Sequence, residues 1–542
     1  LTKIVSVEQM VEIEQSADRA GLTYDQMMEN AGLSVAKAIQ ARVGSLEAKR
    51  IVILTGSGNN GGDGLVAGRH LAEAGGQITV YLVKDRADDV HLQRIRDLEA
   101  LVVAASEDQR FRVLSKSLAT AEVVIDAVFG TGLKLPLRGE SQKTLAKAKA
   151  ALAKREKQPF IVAVDCPSGM DVDSGHVAEE AIAADLTVTL AAAKHGLLQF
   201  PAAEYTGELI VGDIGLDEEM AELAGVDLDL ADAEYVRGWL PARPRDSHKG
   251  TFGTDLIIGG SINYPGAAVL AGTGAYRVGA GLVMLAVPSA IQGMLAPQLP
   301  EAVWLLLPHE LGLINETAVD VLMPELERAS AALLGPGLGQ DKVTRRFLSK
   351  LFGLEISSNR GKLGFVAEEE ETAVKELSVP PLVVDADGLK LLVDIPDWAQ
   401  RMPAGSILTP HPGEMAVLTG LEVAAIQEKR VETAKKYAAE WGHVVVLKGA
   451  FTVIAEPEGR TCVIPVASSA LATAGTGDVL AGVIVGLRGQ GLDPYQAASL
   501  GGYLHARAGQ LAALLHGNDR SVLAGDLADT LSDAISELMA DA

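Results

Sequence analysis

Short apolar runs rich in β-branched residues alternate along this chain with stretches whose apolar positions recur at helical spacing. In the first part the runs are RIVILTG, QITVYLV, EVVIDAVFG, FIVAVDCPSG, DLTVTL and GELIVGDIG; GLVAGRHLAEAGG and a charged segment from about Asp88 read as helices between them. Strands apolar on both faces belong to a sheet covered by helices on both sides, so the pattern predicts a three-layer α/β/α domain with a mainly parallel sheet. The alternation stops near Gly215. Residues 216–250 turn acidic, then rich in proline and charge, from LDEEMAELAGVDLDLADAEYV to PARPRDSHKG, and read as a helical connector followed by a linker. Alternation resumes with TDLIIGG, a helix after Pro265, GLVMLAVP, EAVWLLLP, SAALLGPGLG, PLVVDADG, SILTPHPGE, HVVVLKG, TVIAEP and TCVIPV, and closes in glycine-rich helices from Gly477. HVVVLKG and TVIAEP are joined too closely for a parallel crossover, which needs about a dozen residues, so the second sheet is expected to be largely parallel but mixed. Two α/β domains are thus expected, at 1–218 and 246–542, with a connector at 219–245.

Composition narrows the partners. Of the 542 residues 48% are apolar and 22% charged, which excludes a disordered chain, and the formal net charge of −24 repels polyanions. No nucleic-acid role is expected, and a small anionic ligand would need a local cradle of backbone N–H groups and lysines. Cys166 and Cys462 stand alone in apolar runs, with neither disulfide nor zinc spacing, as in a reducing compartment. No run approaches the roughly 18 apolar residues of a membrane span, and LTKIVSVEQM has no signal-like core, so a cytoplasmic protein without membrane contact is expected.

Against that background GNNGGDG, residues 58–64, stands out. It follows a strand and opens a helix, and GSGNNG formally matches the dinucleotide motif G-x-G-x-x-G, with Asp85 ending the next strand where a ribose-binding acid would sit. A dehydrogenase does not need the rest of the motif. Consecutive glycines at a helix start offer N–H donors to an anion, while Asn60 and Asp63 offer oxygens to a cation or to sugar hydroxyls; the competing reading is a turn with Asp63 as N-cap. Asp126 and Asp165 end later strands on the same predicted rim, with GTGL and Ser168 nearby, a set of hard oxygens suited to an alkali or alkaline-earth ion. Asp165 is also a candidate acid/base.

In the second half, ATAGTGDVLAG at 472–482 aims Gly475, Gly477 and a helix start at one point beside Asp478, a geometry fit for phosphoryl transfer. Small residues continue through that helix, which permits close approach of a backbone and argues against a mere N-cap aspartate. Walker A is absent. Lys448 directly follows a buried strand, His411 sits in a Pro-His-Pro turn with Glu414 nearby, and DADGL supplies a glycine turn and acids at a strand end, of which Asp385 or Asp387 is a candidate structural cap.

Taken in order, MENAG, GNNGGDGLVAGRHL, DAVFGTGL, VAVDCPSGMDVDSG and ADLTVTLAAAKHGL resemble the NAD(P)H-hydrate epimerase domain, a Rossmann-like fold, over almost the whole first half. The resemblance implies that Asn59, Asn60, Gly61, Gly62 and Asp63 hold the hydrate together with Gly130, Thr131, Gly132, Leu133, Lys134, Leu135 and Pro136. It further implies that Asn60, Asp126 and Ser168 bind a potassium ion, and that Asp165 binds substrate and moves protons between the R and S hydrates. Cys166 replaces a larger aliphatic residue common in that family and reads as a packing change. HKGTFGTDLIIGGSINYPGAA, LLGPGLG, VVDADGL, LTPHPGE, VVLKGAFTVI and ATAGTGDVLAG resemble the ADP- or ATP-dependent NAD(P)H-hydrate dehydratase, of the ribokinase-like superfamily, over nearly all of residues 240–515. That likeness implies that Ala267, Gly337, His411 and the catalytic Asp478 face the hydrate. It also implies that Lys448, Gly449, Ala450, Phe451, Thr452 and Gly477 hold ADP or ATP with Mg2+. Ala474-Gly475 stands where the family often shows two glycines. The expected substrates are NADHX and NADPHX, and the expected assembly is a homo-oligomer. Two rival readings stand beside this one: a ribokinase-like vitamin or sugar kinase with a regulatory N-terminal domain, and a first half that only senses a ligand.

Overall fold

The computed structural model describes residues 2–86, 89–217, 219–354 and 379–540. The chain divides into two compact units, residues 1–230 and 231–542. The expected start of the charged helix at Asp88 lies outside the described residues; the helix itself is Val90–Arg96, capped by Asp89.

In the first unit seven strands form one parallel sheet in the order Leu101–Ala104, Gln77–Leu82, Arg50–Thr55, Val123–Ala127, Phe160–Val164, Leu186–Leu190, Glu208–Gly212. The unbroken apolar runs have a direct cause. Ile51 and Ile53 pack into one core with Val35, Ile39, Leu65 and Leu71, while Val52 and Leu54 pack into another with Leu114, Leu118 and Leu145. Successive side chains of one strand thus meet helices on opposite faces, and each buried Val, Ile or Leu contributes about 1.5–3 kcal/mol. The chain steps outward from Arg50–Thr55 to one edge, then returns to its other side at Val123–Ala127. That reversal opens a crevice at the carboxyl ends of these two strands, the usual ligand position in open α/β sheets.

The sheet of the second unit runs Thr461–Val463, Val453–Ala455, Val444–Leu447, Ile407–Leu408, Leu382–Val384, Ala331–Leu334, Thr254–Ile258, Leu282–Pro288, Val303–Leu307. Its pairs are parallel except Val444–Leu447 with Val453–Ala455, and Val453–Ala455 with Thr461–Val463. The mixed sheet is therefore as expected, and its order reverses at Thr254–Ile258. Among the described residues no helix is long and apolar enough to cross a membrane.

One expectation needs correction. The acidic connector is not a continuous helix: one-turn Ala221–Ala224 and short Ala233–Arg237 flank an extended Leu228–Leu230, because Gly225 interrupts the helix and LDL alternates with the period of a strand. The small residues of Thr476–Gly489 do permit the close approach of a backbone, that of a neighbouring helix. A Cβ on Gly482 would lie 2.0 Å from the Ala271 carbonyl oxygen, and one on Gly486 would lie 2.8 Å from the Ala275 Cα, both on helix Gly266–Arg277. This contact seats the helix that carries Asp478. Gly482→Ala is expected to push the two helices apart and lower stability by about 1–3 kcal/mol, read as an earlier thermal unfolding transition.

Candidate functional sites

Helix Asn59–Glu73 begins within GNNGGDG, with Gly58 as its N-cap, so Asp63 lies inside the helix and does not cap it. The turn reading falls with that. The glycines answer a packing demand: added Cβ atoms would come within 2.2 Å of the Gly56 carbonyl oxygen at Gly61, 2.6 Å of Met28 Sδ at Gly62 and 2.4 Å of Ala127 Cβ at Gly64. The helix start is thereby pressed onto the sheet edge. Arg86 donates from Nη1 to the carbonyl oxygens of Gly56 and Gly58, at 2.7 and 2.9 Å, and braces the loop before the helix.

A cavity of about 450 Å³ opens above this edge. Asn59, Asn60, Asp63, Gly130, Thr131, Gly132, Leu133 and Asp165 line it, together with Glu14, Lys84, Ser141 and Lys194. Lys134, Leu135 and Pro136 line an adjoining depression that shares Gly132 and Leu133, whereas Gly61 and Gly62 are not among the described lining residues of either. Asp85 is exposed, with a long 3.5 Å contact from the Ser106 hydroxyl, and it is not among the described residues that line this cavity.

Asp165 follows strand Phe160–Val164 with φ +67°, a strained value for a residue with a side chain. Its Oδ1 accepts from Lys194 Nζ at 2.5 Å, with Thr189 Oγ1 and the Leu190 N–H farther off at 3.4 and 3.3 Å. The Lys194 ammonium, 1% exposed, also donates to Thr189 Oγ1 at 3.1 Å and to the Leu190 carbonyl at 2.9 Å, which uses its three protons. Oδ2 is left facing Gly130, 3.0 Å from where a Cβ there would stand, with the Asn60 side chain 3.3 Å from the same point. Lys194 was missed in the sequence because a lysine after an apolar run is ordinarily solvated.

Asp126 is fully buried in the central strand. Its Oδ1 accepts from Ser168 Oγ at 2.5 Å and from the Val128 N–H at 3.3 Å, and its Oδ2 from the Ser168 N–H at 2.8 Å. Burial raises its carboxyl above the usual range, against these hydrogen bonds. Both amide atoms of Asn60 are buried without a hydrogen-bond partner. A buried amide oxygen in need of a partner, near the Asp165 carboxylate across Gly130, is chemically suited to a hard monovalent cation. Asp63 is pushed well above the usual carboxylate range by burial, then by Asp165 and Glu14. Burial likewise pushes the Cys166 thiol well up, in keeping with a packing residue.

In the second unit the strand ends gather charge around Lys448. Its Nζ lies 2.5 Å from Asp385 Oδ1 and 3.7 Å from Glu414 Oε2. Burial works against the ammonium, yet Asp385 and Glu414 hold its pKa above the ordinary lysine value. Asp385 is buried and also accepts from Thr409 Oγ1 at 2.7 Å. It is no cap, and neither is Asp387, whose carboxylate instead accepts from the Gly339 N–H at 3.0 Å and from Gln340 at 2.9 Å. Gly335, at φ +132°, admits the Asp385 carbonyl where a Cβ would lie 1.9 Å from it. His411 caps helix Pro412–Thr419: its Nδ1 accepts from the Gly413 and Glu414 N–H groups, and Glu414 Oε2 accepts from the His411 N–H at 2.9 Å.

Asp478 is the third residue of helix Thr476–Gly489, whose N-cap is Gly475. Burial, then Asp385, push its carboxyl up to about 7, against Lys448. A Cβ on Gly477 would stand 3.6 Å from Lys448 Nζ and 4.0 Å from Asp385 Oδ2, so the helix start faces the ion pair. His505 Nε2 donates to the Thr476 carbonyl at 2.9 Å and holds this start from behind. Gly337, at φ +66°, packs against Tyr264 and Ala267, where a Cβ would lie 2.9 Å from Ala267 Cβ. Lys448 is continued by exposed Gly449 and Ala450 and half-buried Phe451 and Thr452, the last donating from Oγ1 to the Gly449 carbonyl at 2.9 Å. Arg430 donates to the carbonyls of Leu447 and Lys448 and fixes this loop from below. The structure thus joins Gly477, Asp478, Lys448 and His411 around Asp385 and Glu414, and joins Ala267 to Gly337.

A family model described as NAD(P)H-hydrate dehydratase matches residues 256–533, and one described as YjeF-related protein N-terminus matches residues 24–196. A bifunctional NAD(P)H-hydrate repair enzyme from Moorella thermoacetica is 39% identical over 523 residues, 94% of this chain and 92% of that protein. The like-named protein of Escherichia coli is 34% identical over 529 residues, 97% of this chain and 92% of that protein. An ADP/ATP-dependent NAD(P)H-hydrate dehydratase from Bacillus subtilis, co-crystallized with ATP/Mg2+, is 32% identical; it covers 57% of this chain and 98% of its own, with a TM-score of 0.44.

Proposed function

The chain belongs to the family of bifunctional NAD(P)H-hydrate repair enzymes, and from that premise we propose how its two sites divide one repair. It epimerises the R and S forms of NADHX and NADPHX and dehydrates the S form to NADH or NADPH with consumption of ADP or ATP. Only one epimer fits a stereospecific dehydratase, so the epimerase makes the other usable.

We assign epimerisation to the N-terminal unit. The start of helix Asn59–Glu73 and the 130–136 loop hold the anionic part of the hydrate, where helix N–H groups favour negative charge. Asp165 moves a proton through Oδ2, the oxygen that Lys194 leaves free. Potassium, held by Asn60, Asp126 and Ser168, would supply positive charge beside the bound phosphates; the unpartnered Asn60 amide supports that fit.

Dehydration is assigned to the second unit. Asp478 takes the proton of the C6 hydroxyl as its oxygen attacks the terminal phosphorus of ADP or ATP, and the P–O bond to the nucleotide breaks. Lys448, Gly477 and the helix start bind the phosphates, and Mg2+ is within the chemistry of the carboxylates beside Lys448. The C6–O bond then breaks with its electrons going to phosphate, the ring nitrogen supplies a lone pair, and loss of a C5 proton forms the C5=C6 bond. The observation that carries this reading is the placement of the half-buried Asp478 carboxyl in the first turn of a helix whose start faces Lys448, with its pKa pushed up to about 7, a base matched to neutral pH. A vitamin or sugar kinase would instead accumulate a stable phosphorylated product.

This reading includes the cytoplasm as its compartment and a homo-oligomeric assembly. Leu514 and Leu515, 70% and 75% exposed at the end of a helix whose Leu500 and Leu504 are core, support self-association. Incubation of the protein with (S)-NADHX and ADP or ATP is expected to restore NADH absorbance. Unchanged absorbance, or a stable phosphate ester of another substrate class, would count against it.

A further inference from the structure

The epimerase cavity holds more acid than the reading above employs. Glu14, on helix Val7–Arg19, lines the same 450 Å³ space as Asp165, Asp63 and Lys194, and no role for it follows from the motifs. Three carboxyl groups there share one buried ammonium, and Lys194 spends its shortest bond, 2.5 Å, on Asp165. Among the described residues neither Glu14 nor Asp63 forms an ion pair, although the charge of Lys194 acts on both and that of Arg86 on Asp63. Burial raises the Glu14 carboxyl, Lys194 lowers it, and Asp165 raises it further, with a net upward shift. Asp63 is raised in the same sense. The Glu14 charge also acts on Tyr24, on the following helix, and Lys84 lines the same cavity. Asp63 sits within the buried start of its helix, whereas Glu14 comes from a separate helix, Val7–Arg19, whose Met10, Val11 and Glu14 line the cavity.

Resting on the epimerase reading, we infer that Glu14 is the second proton-transfer group of this site, the acid that works with Asp165 as base. C6 of the hydrate carries both a hydroxyl and the ring nitrogen, so its configuration is lost when the ring opens. Asp165 Oδ2 takes the hydroxyl proton, the O–H electron pair becomes the second C6–O bond, and the C6–N1 bond breaks with its electrons to N1, which takes the proton of Glu14. Rotation about C5–C6 presents the other face of the aldehyde. Closure returns the N1 proton to Glu14 and the Asp165 proton to oxygen. Atoms and charge balance, and both residues end as they began.

The test is the rate of R-to-S conversion by the full chain, followed chromatographically across pH, for wild type, Glu14→Gln and Glu14→Asp. Glu14→Gln is expected to slow conversion by about 10²–10⁴-fold, with KM little changed and the alkaline limb of the profile gone; Glu14→Asp is expected to be intermediate with that limb displaced. A wild-type rate in Glu14→Gln, or a slower rate with an unchanged pH profile, overturns the inference. Dehydration of (S)-NADHX reports whether each variant chain is intact. If Glu14→Gln does not fold, the Glu14→Asp profile decides, an undisplaced limb overturning the inference. Absence of conversion by wild type itself would overturn the epimerase reading instead.

Discussion

Dehydration by the Asp478→Asn protein is expected to fall by about 10²–10⁴-fold in kcat, with the KM for nucleotide nearly unchanged. Asparagine preserves the size of the side chain and the helix start, while Gly477 and Lys448 continue to bind phosphate. What disappears is the base. In the wild type the carboxyl is pushed up to about 7, first by burial and then by Asp385, so the active carboxylate form accumulates as pH rises through neutrality. The rate of dehydration should climb over that interval in the wild type and stay flat in Asp478→Asn. Stability runs the opposite way. A carboxyl whose folded pKa is raised favours folding below the ordinary carboxylate range, and that contribution is lost as pH rises to about 7. Asp478→Asn should therefore unfold at a higher temperature than wild type above neutral pH and lose this advantage in acid. A variant that is both more stable and inactive is the signature of a site whose base is held at a cost to the fold. Steady-state kinetics and thermal unfolding over the same pH series check both halves.

Lys194→Met should destabilise the N-terminal unit by about 3–5 kcal/mol, because it leaves a carboxylate in the cavity without its ammonium. The Lys194 side chain is 1% exposed and its partner 10%, so solvent offers little compensation. For a domain of this size the loss corresponds to a fall of about 6–20 °C in the unfolding transition of that unit. Lys194→Met/Asp165→Leu is expected to recover much of the stability, since an apolar pair of similar volume removes the stranded charge, and to remain inactive as an epimerase. Neither change should alter dehydration of (S)-NADHX below the transition. Scanning calorimetry, paired with the epimerisation assay, separates these effects; equal stability of Lys194→Met and wild type would contradict the burial argument.

The sheets were legible because a strand covered on both faces must be apolar at every position, and RIVILTG or FIVAV leaves little else to read. The antiparallel pair at Lys448 followed from connection length alone. The site rims were legible through their glycines, and the structure gives several of them a packing cause: Gly61, Gly62 and Gly64 seat a helix against a strand end and Met28, and Gly482 seats another against Ala271. Glycine marks close approach, and sequence cannot tell whether ligand or protein approaches. Lys194, Asp385 and Glu414 were less legible because their roles arise from pairing. Lys194 meets Asp165 across 29 positions, and Asp385 meets Lys448 across 63, and nothing local in ADLTVTLAAAKHGL or VVDADGL encodes the partner. The connector was misread for a local reason: acidic composition suggested helix, but Gly225 and the alternation of LDL favoured an extended segment.

The division of labour between the units is tested most directly with pure (R)-NADHX, ATP and three proteins: wild type, Asp165→Asn and Asp478→Asn. Wild type should convert the whole sample to NADH. Asp165→Asn should leave (R)-NADHX to its slow spontaneous epimerisation while consuming added (S)-NADHX at the wild-type rate, and Asp478→Asn should yield a mixture of the two epimers without NADH. Rapid NADH formation from the R form by Asp165→Asn, or from either form by Asp478→Asn, would contradict the account.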